Sequence, residues 1–195
     1  PLILLSAMGI VSNVFAADTP NKAQARQVFS WETAIEAFDA YVDWPSPENA
    51  KALLAALRMD RPGESTGNAE QELKHIFSAD NSPILFGEAN AGDRIAIEIL
   101  FRLRNLTDAL YSEILESIMG DILRLHPQLF LDVLMEFKNA KFIKAWGYPV
   151  QFTGQGYFEH PKAGRFILEK RIEALETVTD AKYSEIKEAC IRSLR

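Results

Sequence analysis

The sequence predicts an all-α protein of stacked antiparallel helical hairpins, interrupted by one irregular, aromatic-rich insertion near 144–161. Three observations carry that prediction. Apolar residues recur at spacings of three and four over most of the chain after Asp18, the rhythm of one buried helix face. The segments with this rhythm are separated by short breaks marked by Ser-Pro and His-Pro pairs, which start helices and force antiparallel neighbours. No run of alternating apolar residues is long enough for a major sheet.

With 195 residues, 48% of them hydrophobic and 25% charged, the chain has the composition of a globular domain with a substantial core. A formal charge of −6 argues against a nucleic-acid binder, because phosphate affinity needs clustered Lys and Arg, and gives no attraction to anionic lipid. Cys190 is the only cysteine, so an internal disulfide and a Cys/His metal cage are both excluded. Residues 1–16 read as a signal peptide: the run is apolar and uncharged, and Val14 and Ala16 occupy the small-residue positions that a signal peptidase reads before Ala17. No initiator Met or positive region precedes the run, so the chain is expected to begin within its signal. The run is too short for a stable membrane span once the cleavage region is discounted, so a secreted or periplasmic single helical domain over 17–195 is expected.

The elements follow in order. Val28, Trp31, Ile35, Phe38 and Val42 put one apolar stripe on a helix over 27–44, stopped by Pro45. Ser46 and Pro47 then supply an N-cap and a first-turn proline for a helix burying Leu53, Leu54 and Leu57. Residues 60–67 are a loop, and Asn68 with Gln71 resembles a capping box before Leu73, Ile76 and Phe77. Ser82 and Pro83 open a short helix that must end before Gly92. Residues 93–106 are apolar around most of their circumference, which predicts a central helix covered on two sides. The rhythm continues over 110–125, breaks at His126-Pro127, and resumes with Leu129, Phe130, Val133, Leu134 and Phe137 inward. Helices over 162–178 and 180–194 close the chain, the latter with Tyr183, Ile186, Cys190 and Leu194 on one face.

From Asp93 to Lys138 this pattern resembles the helix pairs of HEAT or armadillo repeats. The resemblance implies a stack with long exposed faces suited to protein partners. No strict period recurs, so an irregular helical bundle is the alternative architecture.

Residues 144–161 cannot be a continuous helix, because Gly147, Pro149, Gly154 and Gly156 fall within them. Val150 to Phe152 and Tyr157 to Phe158 flank TGQG in the manner of a small β-hairpin. Five aromatics fall in thirteen residues, Trp146, Tyr148, Phe152, Tyr157 and Phe158, with Lys144, His160 and Lys162 beside them. Between Lys138 and Arg171 there are seven basic residues against two acidic ones, reversing the sign of the whole chain. Loops of this length that persist are often functional or packed by their own side chains. An aromatic surface with a cationic rim fits a protein interface or an anionic, sugar-like ligand. These eight residues are the expected binding surface, and the expected partner is another envelope or extracellular protein or such a ligand. The plain alternative is that Trp146 and Phe158 plug the end of the helical stack and the lysines are ordinary solvated tips.

The usual signatures of catalysis do not occur: no GxSxG, GxxxxGK, HExxH or GxGxxG is found, and no cofactor or metal is expected. An envelope hydrolase is the competing reading, and its acid and base groups would come from Glu98, Glu113, His126, Glu159 or His160 meeting in one cleft. Glu113 and Glu116, three apart, read more simply as a solvated helix face, and Cys190 as a packed small hydrophobe.

Overall fold

The computed structural model describes residues 29–57, 65–66, 69–107, 109–139, 150–154 and 161–195. The chain is all-α, as the periodicity predicts. A two-residue strand β1 (Phe29–Ser30) leads into α1 (Trp31–Asp43) and α2 (Pro47–Ala56). A second short strand, β2 (Ser65–Thr66), pairs in parallel with β1. Then come α3 (Ala69–Ile76), α4 (Ser82–Asn90), α5 (Arg94–Leu106), α6 (Ala109–Leu125) and α7 (Pro127–Asn139). The chain closes with α8 (Val150–Thr153), α9 (Pro161–Glu176), a 3-10 turn at Ala181–Tyr183 and α10 (Ser184–Leu194). The expected signal peptide, 1–16, and Asn68 of the capping box lie outside the described residues.

Local chemistry explains the boundaries. The Ser46 hydroxyl accepts the Asn49 amide at 3.2 Å with Pro47 in the first turn, and the Asp93 carboxylate accepts the Ala96 amide at 2.7 Å. Each satisfies an amide that the first helical turn leaves without an internal partner. The first helix starts later than the apolar stripe implies, at Trp31, because Ser30 is its cap and Phe29 belongs to β1.

The buried apolar residues form one continuous cluster from Phe29 to Leu194. At its centre α5 buries Ile97, Ile99, Leu100, Phe101 and Leu103 completely, and packs on α2, α4, α6, α7 and α8. Its cover is therefore wider than the two sides expected. Helix α6 is the second hub, touching α4, α5, α7, α8 and α9. Contacts shared so widely describe a bundle around a common core. They do not establish the repeating pairs of a HEAT or armadillo stack, in which each unit meets only its neighbours.

Candidate binding surface

The anticipated surface divides into parts with different fates. Trp146, Tyr148, Tyr157, Phe158, His160 and Lys144 lie outside the described residues. Lys162 belongs to the first turn of α9 by its backbone, and its side chain also lies outside them. Phe152 is described, and it is a correction to the expectation: its ring is fully buried, stacked on Phe101 with centroids 4.9 Å apart and planes 11° from parallel. It belongs to the core.

The hairpin expectation is corrected at the same place. Val150 to Thr153 is a turn of helix, with Gly154 after it at φ +71°. Four residues are too few to separate a twofold from a 3.6-fold rhythm, and a left-handed glycine ends a helix as readily as it turns a hairpin. The Thr153 hydroxyl meets Ser193 of α10 at 3.1 Å, and the Arg171 side chain of α9 donates to the Gly154 carbonyl. Residues 150–154 thus plug the bundle between α5, α6 and α10.

An exposed counterpart stands on the outer face of α9. Phe166 is 59% exposed and lines an open groove of about 640 Å³ between α6 and α9. Ile167 and Ala174 line the same groove, with Asp121 and Arg124 contributed by α6. The Lys170 ammonium lies 5.5 Å from the Phe166 ring centre and 2.6 Å from Glu173, and Arg124 reaches Asp121 at 3.8 Å. Each cation thus has a carboxylate on its own helix, so the groove pairs an apolar floor with a balanced polar rim. Phe166 is not among the residues that the sequence singles out, and Lys170 enters there only as one of the seven basic residues between 138 and 171. The signal was there: Leu168, Ile172 and Leu175, spaced four and three, mark the inward side of α9 and leave position 166 facing outward. Trp44 and Leu110 are also exposed, at 72% and 63%, but neither lines this groove.

The groups named for the competing hydrolase do not converge. Glu98 pairs with Arg94 at 3.3 Å, Glu113 stands exposed on α6, and the His126 ring donates from Nε2 to the Asn90 carbonyl at 2.8 Å. Among the described residues no hydrogen bond or ion pair joins any two of the three. Glu159 and His160 lie outside the described residues. Glu116 differs from the solvated face expected of it: it holds Arg104 at 2.7 Å, and both side chains are largely buried between α5 and α6. His126 also lines a second, more polar cavity of about 400 Å³ with Gln128, Thr177 and Asp180. Cys190 is buried in α10, and burial pushes its thiol up to about 12, which suppresses the thiolate that nucleophilic chemistry needs. Among the described residues no group of three or more His, Cys, Asp or Glu could hold a metal ion, and no helix is long and apolar enough to cross a membrane.

No family model matches this chain, and no curated protein or solved structure matches it significantly.

Proposed function

We propose that this protein is an exported helical binding protein, secreted or periplasmic, whose contact surface combines the aromatic and basic residues flanking the buried turn 150–154 with the outer face of α9. The observation that carries the reading is Phe166. Phe166 is 59% exposed on a helix that buries its other large apolar residues at least in part, and it does not stand alone but shares its groove with Ile167 and Ala174. Its setting is that of an interface anchor: an aromatic ring in an open groove, a cation over its face, and paired charges at the rim. The local basic surplus around 138–171 continues onto the same helix through Arg165 and Lys170. Because Lys170 and Arg124 are each balanced by a carboxylate, the groove favours the apolar and mixed-charge surface of another envelope or extracellular protein over a strongly anionic sugar ligand. Export is supported by the apolar, uncharged run over 1–16 and the small residues Val14 and Ala16.

Two measurements test this reading. Immobilised parent chain is expected to retain an envelope protein that the Phe166→Ser chain does not, while Glu188→Ser, an exposed change on α10, retains it in full. Equal retention by all three overturns the assignment of the surface. N-terminal sequencing of the exported protein is expected to begin at Ala17, and an unprocessed N-terminus overturns the compartment.

A further inference from the structure

Arg171 is 2% exposed, and among the described residues it forms no ion pair. Its donors go to backbone instead. One terminal nitrogen donates to the Gly154 carbonyl just past α8, the other to the Ser117 carbonyl of α6 at 3.4 Å, and Nε is buried without a partner among the described residues. Burying an ion on these terms is costly. Burial accordingly draws the guanidinium pKa down, opposed by the charge of Asp121 and helped by that of Arg124.

Two glycines lie against the guanidinium. A Cβ at position 120, in the middle of α6, would overlap the guanidinium carbon, and one at 154 would overlap the Glu116 carbonyl oxygen and crowd the same guanidinium. Glycine inside a helix is unfavourable by about 1 kcal/mol against alanine. A buried arginine, a mid-helix glycine and a left-handed backbone turn, each adverse alone, therefore meet at one point. Such coincidences are expected where geometry matters more than stability.

We infer that Arg171 is a positioning latch: it fastens residues 150–154 across α6 and so fixes the place of this turn in the bundle. The planar fork suits the task, since it reaches carbonyls on two elements at once where an ammonium would serve as a single point charge. The latch stands on geometry alone; its bearing on binding rests on the function proposed above.

The chain supplies its own reporters. Thr153 is fully buried in α8 and Cys190 fully buried in α10, so in a Thr153→Cys background one thiol reports opening of the plug and the other opening of the bundle. Labelling by a small alkylating reagent, read by peptide mass spectrometry, gives both rates from one sample. Adding Arg171→Met is expected to speed labelling at 153 by roughly tenfold or more while Cys190 stays within about twofold. Arg171→Lys is expected to fall between parent and Met, and Gly154→Ala, which attacks the latch from the other side, to reproduce the selective rise. The latch is overturned if both thiols accelerate together, which makes Arg171 an ordinary core residue, or if neither does. Should Arg171→Met not fold, Arg171→Lys and Gly154→Ala decide by the same criterion. No partner enters this assay, so a selective rise combined with unchanged retention by Phe166→Ser keeps the latch and removes the binding surface.

Discussion

Two phenylalanines fourteen residues apart define opposite environments. Phe152 is sealed against Phe101, so Phe152→Ala should cost about 3 to 5 kcal/mol, whereas Phe166→Ser should cost less than about 0.5 kcal/mol. Chemical denaturation of the two variants checks both values. Composition alone could not separate these residues, since both sit in or beside the same aromatic, basic region. What separates them is the register of α9 and the helical turn at 150–153, the second of which no four-residue pattern announces. Arg171 was still harder to read, because an arginine is expected at the surface unless paired, and its acceptors are backbone oxygens that leave no trace in the sequence. Tyr41 gives a pH test. Burial, with the charges of Glu88 and Asp93 adding to it, raises the phenol from 10.0 to about 12. The raised value means that its contribution to stability is complete below pH 10 and lost as pH climbs through 12. Tyr41→Phe should therefore flatten the alkaline fall in stability over that window, as followed by denaturant midpoints.

At the scale of elements, the helix starts were legible because caps are written in single residues. Ser46-Pro47, Asp93 and His126-Pro127 each mark a boundary that lies within a residue of the helix start. Ser46→Ala should cost about 1 kcal/mol by leaving the Asn49 amide without its acceptor, and Ser46→Gly less, a ranking that denaturant titration would show. Helix α6 offers a sharper test, since local propensity and packing disagree at Gly120. Gly120→Ala in the parent should destabilise by about 1 to 3 kcal/mol, because the methyl group meets the guanidinium. In an Arg171→Ala background the same substitution should stabilise by up to about 1 kcal/mol, the ordinary gain of alanine over glycine. A double-mutant cycle showing no coupling between 120 and 171 would contradict the packing described for them.

Across the whole molecule, the all-α class followed from periodicity, because each helix buries one face and the rhythm survives any arrangement of the helices. The arrangement itself did not follow. Among the described residues α5 and α6 each pack on at least five other helices, and such sharing depends on which stripe meets which, information that resides in shape complementarity across distant segments. A related limit applies to the working surface. The region around 144–161 stands out for its aromatics and charge, yet the exposed ring that lines the α6–α9 groove lies just beyond it on α9, and the segment's own Phe152 is buried in the core. The central claim is that the α6–α9 groove around Phe166 touches a partner protein. It is tested most directly by replacing Phe166 with benzoylphenylalanine and irradiating the full chain in envelope extract, with the same photoreactive residue at Glu188 as reference. The account predicts one discrete crosslinked protein at position 166, absent at 188 and displaced by excess parent chain but not by Phe166→Ser chain. Crosslinks of equal yield and pattern at both positions, or a product displaced equally by the two competitors, would contradict it.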